Sequence, residues 1–182
     1  MCNVKWLDDP PTPAAGMLDD PRLTAAGLLN EVFSGVMARI TPTLTEAGLS
    51  VIDFETLMRL ARTPGQRLRM SDLAAQTNLS TSGVTRVVDR LERDGLVARE
   101  ACAADRRASY AVITDAGLAR LNAVLPQHLA DIEAWFTGLL TPEQLDALLD
   151  ALRTIRDVVR PCATAGLEST ETTGGGRATT AQ

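Results

Sequence analysis

A mainly α-helical fold carrying one small β-hairpin is the class this sequence predicts, and three observations predict it. Apolar residues recur at three- and four-residue spacing through most of the chain between Leu28 and Val159, the period of a one-faced helix. Caps and breakers separate these segments at short intervals. The exception is a pair of short stretches, Leu96 to Cys102 and Ser109 to Thr114, whose β-branched and aromatic content flanks Ala103 to Ala108 and predicts a hairpin.

The first helix carries Leu28, Leu29, Val32, Phe33, Val36, Met37, Ile40 and Leu44 and ends near Gly48, with Pro42 expected to bend it. Ser50 and Asp53 form an approximate capping box for a second helix bearing Phe54, Leu57, Met58 and Leu60, which Thr63-Pro64-Gly65 stops. A short third helix opens near Ser71. Asn78-Leu79-Ser80 is then a turn whose serine caps a fourth helix with Val84, Val87, Val88 and Leu91 on one face, closed by Asp94-Gly95. After the hairpin, Thr114 caps a fifth helix running through Leu118, Leu121, Val124, Leu125, Leu129, Ile132, Trp135 and Phe136, with Pro126 in its interior. Thr141-Pro142-Glu143-Gln144 combines an N-cap, a proline at the first helical position and a capping-box glutamine. The sixth helix follows to Pro161. It holds more large apolar residues than a small solvated body needs, so part of its surface is expected to meet another subunit.

Residues 1–20 are rich in Pro and Asp, and 162–182 form a Thr/Gly/Ala stretch. Both are expected to be disordered tails, the glycines 174–176 reading as linker. The 182 residues, 45% hydrophobic and 23% charged, suit one globular domain, placed at 21–161, rather than a fibrous or disordered polymer. No apolar run approaches the ~20 residues of a membrane span, and the opening MCNVKWLDDPPTP lacks the apolar stretch of a signal peptide. A cytoplasmic protein without a membrane partner is expected. Cys2, Cys102 and Cys162 are far apart, and His128 is the single histidine. No disulfide framework, metal cluster, catalytic triad or cofactor site is expected from them. His128, Phe33, Met37, Trp135 and Phe136 are read as core, and Cys102 as a small buried hydrophobe.

The net charge of −5 is unevenly spread, since the segment from Arg62 to Arg107 carries nine arginines against six acids, a local balance of +3. A basic module in an acidic body points to a nucleic-acid partner. Two short helices joined by a tight turn and followed by an arginine-tipped hairpin make a winged helix-turn-helix, about 50–114, and the fourth helix fits the major groove of double-stranded DNA. Its cap and outer face give Ser80, Thr81, Ser82, Thr85 and Arg86 as candidate contacts. Arg90, Arg93 and Arg69 are candidate phosphate contacts. For Arg99, a salt bridge and a phosphate contact stand level. The wing tip, Asp105, Arg106 and Arg107, is placed at the minor groove.

At these residues the sequence resembles the MarR (multiple antibiotic resistance regulator) family. The resemblance rests on LAAQTNLSTSGVTRVVDRLERDGLVARE followed by DRRASYAVITDAG. The family's wing Asp-x-Arg falls on Asp105 and Arg107, and its Leu-Thr-x-x-Gly appears as Ile113-Thr114-Asp115-Ala116-Gly117. The resemblance implies that Asp105 braces Arg107, and that helices at about 22–47 and 115–160 form a homodimer on a pseudo-palindromic operator. It further implies a non-enzymatic transcriptional regulator, a repressor released by a small lipophilic or phenolic effector. Two alternatives are a thiol-based redox sensor on the same fold and a winged-helix module that binds a protein partner.

Overall fold

The structure, a computed structural model, describes residues 16–102 and 105–164, and gives the backbone alone for residues 102 and 105–108. The chain divides into two units at Ala38/Arg39.

The first unit holds most of helix α1 (Pro21–Glu46). The Asp20 carboxylate accepts from the Arg22 backbone at 2.8 Å and from its guanidinium at 2.6 and 2.9 Å, so the helix start has the side-chain acceptor its free N–H groups require. Leu23, Leu28, Leu29, Val32 and Phe33 are exposed along this segment. Phe33 is therefore not core, against the sequence expectation: a helix with an apolar stripe buries it only where something covers it.

The second unit is organised around a three-stranded antiparallel sheet, order β1-β3-β2, with strands β1 (Arg67–Arg69), β2 (Val97–Cys102) and β3 (Asp105–Ile113). Helices α2 (Val51–Arg62), α3 (Met70–Thr77) and α4 (Thr81–Arg93) pack with it. Leu57, Leu60, Leu73, Val84, Val88 and Leu91 are almost wholly buried in one cluster with Leu68, Val97, Ala111 and Ile113. Each large aliphatic stabilises the fold by about 1.5–3 kcal/mol over an exposed one. The capping box of α2 forms as read: Ser50 Oγ accepts from the Asp53 N–H at 3.2 Å and Asp53 accepts from the Ser50 N–H at 3.2 Å.

Two strand boundaries differ from the sequence reading. β1 is absent from it because three residues are too short to show alternation; only Leu68 turns inward. β3 begins at Asp105 rather than Ser109. A register shift between Ala101 and Cys102 lets the ladder resume at Cys102 opposite Asp105, extending it through residues whose charge disfavours a strand assignment from sequence.

Helix α5 (Asp115–Trp135) starts against the hairpin base. Thr114 Oγ1 donates to the Gly95 carbonyl at 2.7 Å and accepts from the Gly117 N–H at 3.1 Å. A Cβ on Gly117 would stand 2.2 Å from the Leu96 carbonyl oxygen. The Ile-Thr-x-x-Gly motif is thus a junction in which threonine joins turn to helix and glycine permits backbone contact. Pro126 lies within α5, as Pro42 lies within α1, and neither ends its helix.

His128 is buried on α5, edge-on to Phe54 with ring centroids 4.6 Å apart. Burial pushes its pKa below the ordinary 6.5, while a backbone hydrogen bond at Ile40 and the charge of Asp131 act the other way. Trp135, expected in the core, is exposed, with the Arg39 guanidinium 4.1 Å from its ring centroid. Helix α6 (Pro142–Val159) has the predicted Thr141–Gln144 capping box and no buried residue. The chain does not lose structure at Cys162: a 3₁₀ turn, Pro161–Thr164, follows, because Arg59 donates to the Ala163 carbonyl at 2.8 Å and Arg160 to the Gln76 carbonyl at 3.0 Å. Cys162 is an exposed free thiol in that turn. Cys2, the side chain of Cys102 and the 174–176 glycines lie outside the described residues.

Candidate nucleic-acid interface

The turn between α3 and α4 owes its sharpness to Asn78, which adopts the left-handed conformation (φ 56°, ψ 35°) that asparagine tolerates better than most residues. Ser80 then caps α4, its Oγ accepting from the Gly83 N–H at 3.1 Å and lying 3.1 Å from Ser82 Oγ. With Val84, Val87, Val88 and Leu91 sealed in the core, Thr81, Ser82, Thr85 and Arg86 stand on the exposed side. Thr85 turns its hydroxyl back to the Thr81 carbonyl at 2.8 Å, leaving its methyl group outermost.

The arginines divide into roles that sequence could not separate. Arg86 is exposed and has no acidic partner among the described residues. Arg93 is exposed, its Nε 3.7 Å from the Asp94 carboxylate. Arg90 departs from the phosphate-contact reading. Its Nε and Nη2 lie 3.1 and 2.5 Å from Asp53 Oδ1, and Asp53 is itself buried and tied to Ser50. A buried carboxylate demands a cation, so Arg90 joins α4 to the cap of α2. Arg99 resolves toward the salt bridge, reaching Asp89 at 2.6 Å and Glu92 at 2.8 Å. It thereby fastens β2 to α4 and offsets two carboxylates on the surface that a phosphate backbone would approach.

Tyr110, on β3, was not singled out from sequence. The Arg67 and Arg69 guanidiniums lie 5.0 and 5.8 Å from its ring centroid, and Arg69 Nε donates to its hydroxyl at 3.3 Å. Arg67 is also 3.6 Å from Glu100. The signal available was the period-two alternation of the wing strand, but the facing strand β1 had no pattern to pair with it. Arg69 is therefore exposed on the sheet, held by Tyr110. The side chains of Asp105, Arg106 and Arg107 lie outside the described residues; their backbone opens β3.

A helix with a small, hydroxylic and cationic outer face, set on a second helix and flanked by a hairpin, defines a DNA-binding transcriptional regulator of the winged helix-turn-helix class. The profile of the MarR family matches residues 47–108. The chain is 31% identical over 108 residues to the HTH-type transcriptional regulator MhqR of Bacillus subtilis, covering 59% of this chain and 72% of that protein. Among solved structures it resembles AbsC, a MarR family transcriptional regulator from Streptomyces coelicolor, with TM-score 0.73 and 37% identity over 78% of this chain and 96% of that one. It also resembles Sco3205, a MarR family regulator from the same organism solved in complex with DNA, with TM-score 0.71 and 30% identity over 77% and 91% of the two chains. The chain belongs to the MarR family.

Proposed function

We propose that this regulator is a homodimeric, effector-responsive repressor that reads a pseudo-palindromic operator, and that it has no catalytic role. The observation that carries the reading is the outer face of α4, where Thr81, Ser82, Thr85 and Arg86 stand exposed opposite the sealed apolar face and Arg86 lacks an acidic partner among the described residues. Arg86 reads a base edge, while Ser80, Arg69 and Arg93 border the phosphates. Arg106 and Arg107 supply the minor-groove contact, with Asp105 bracing Arg107. Arg90 is withdrawn from the contact set because Asp53 holds it.

The exposed apolar residues of α1 and, separately, of α6 support dimerisation, since such faces are covered in stable soluble proteins. A dimer holding its recognition helices about 34 Å apart meets successive major grooves. An effector that alters this spacing lowers operator affinity, with a coupling on the order of 1–3 kcal/mol.

The test is selection of bound duplexes from a random library by the purified full chain, then titration of the selected sequence against salt. A palindromic motif whose affinity falls steeply with salt is expected. A folded dimer that enriches no sequence would sink the proposal in favour of a winged-helix module for a protein partner.

A further inference from the structure

The C-terminal end of α6 is bonded to the helices that carry the DNA-reading surface, and the sequence accounts for how. Pro161 prevents α6 from continuing, and Arg160 before it leaves the helical region (φ −143°, ψ 61°). The chain turns back as the 3₁₀ turn Pro161–Thr164, which seats Ala163 at 6% exposure. Arg59 of α2 donates to the Ala163 carbonyl at 2.8 Å, and Arg160 donates to the Gln76 carbonyl of α3 at 3.0 Å. Gln76 stands in the last turn of α3, where carbonyls lack a donor within their own helix, just before the left-handed Asn78 that aims α4.

The two bonds run in opposite directions and reach two different helices. A single bond would act as a pivot, whereas two bonds with a buried residue beside them fix orientation as well as position. Both are made by guanidiniums, whose charge strengthens the hydrogen bond and whose planar fork restricts its geometry. Helix α6 buries none of its own residues, while the residues that follow it bury Ala163 and make both bonds. The firm attachment of α6 to the reading pair is therefore at its end.

We infer that this clasp sets the half-site spacing that the regulator accepts, with Arg59 and Arg160 as its positioning residues. The inference rests on the dimeric operator reading above, in which the exposed face of α6 meets a second copy. Each recognition helix is then placed by a path that runs from that interface along α6, through Arg160 and the Ala163 carbonyl, to α3 and α2 and so to α4. One base pair inserted between half-sites moves the second by about 3.4 Å and turns it by about 35° around the DNA axis. A dimer with rigidly placed α4 helices rejects that change, and one with a loosened clasp follows it.

The experiment takes the duplex selected by the full wild-type chain and two counterparts whose half-sites stand one base pair nearer or farther apart. Each is titrated with wild type, Arg59→Met and Arg160→Met, methionine keeping an apolar stem and removing the donor. Wild type is expected to prefer the selected spacing, and each variant to lose about tenfold of that preference. The readout is a ratio between duplexes for one protein, so a general loss of stability lowers all three affinities together and leaves it unmoved. Arg160→Met alone carries the test where Arg59→Met, which also strands Glu55, fails to fold. An unchanged ratio in Arg160→Met overturns the clasp and leaves the dimeric operator reading intact, whereas a wild type indifferent to spacing overturns both.

Discussion

Between Leu49 and Ile113 the large aliphatic side chains of α4 are sealed, with Val84 and Val88 fully buried and Leu91 1% exposed, whereas along α6 Ile155, Val158 and Val159 stand 54–79% exposed. Both helices are amphipathic in sequence. The first has α2, α3 and a sheet of its own chain to cover it; the second has no buried residue. The same apolar pattern therefore means core in one region and unpartnered surface in the other, and only the neighbouring elements tell which. Polar groups follow the same division: Asp53, Arg90 and Arg99 are tied across elements, while the α6 arginines Arg153 and Arg156 pair with Asp150 and Asp157 nearby on the same helix.

The largest effect should come from charging the exposed side. Val158→Asp with Val159→Asp is expected to convert dimer to monomer in sedimentation velocity and to abolish tight operator binding, while the winged region keeps its fold by circular dichroism. A variant that remains dimeric would end the assignment of α6 to the interface. In the sealed region, Gly117→Ala forces a Cβ onto the Leu96 carbonyl and should lower unfolding free energy by about 3 kcal/mol, read from denaturant titration. An unchanged midpoint would show that α5 can shift away without loss.

Asp53→Ala removes the carboxylate half of the α2 capping box, leaving the Ser50 cap itself, and leaves Arg90 unpaired. With Arg90 partly solvated, about 2 kcal/mol of stability should be lost. Arg86→Ala is the counterpart from the same helix: about 1–2 kcal/mol of operator affinity lost, relaxed preference at one base position, and no change in stability. Loss of stability in Arg86→Ala, or loss of DNA affinity alone in Arg90→Ala, would reverse the two roles.

The smallest effect concerns His128. Its folded pKa is lowered by burial, so the native state binds fewer protons than the unfolded chain below the ordinary value of 6.5. This contribution to stability is intact above that pH and declines as pH falls through 6.5 toward the depressed value. His128→Leu should flatten that part of the stability profile, and an unaltered slope would show that another group titrates there.

The helices were legible because each carries its own start and stop signals. Ser50, Ser80, Thr114 and Thr141 all cap as read, and capping depends on residues within one turn. The reading surface was legible in part. Thr81, Ser82, Thr85 and Arg86 follow from helical period alone once the buried stripe is known. Arg90 and Arg99 were not, because their partners lie 37 and as few as 7 residues away on elements whose approach no local pattern encodes. Tyr110 was missed for the same reason, β1 being too short to announce the strand that brings Arg69 to it.

What the sequence determined by itself is the succession of helices and hairpin and the position of the apolar stripe on each helix, since period and capping are local properties of consecutive residues. Tertiary structure decided which arginines are bound to carboxylates on other elements, and which apolar stripes are covered. Those outcomes depend on distances between elements remote in the chain, where a buried carboxylate captures whichever cation the packing places beside it.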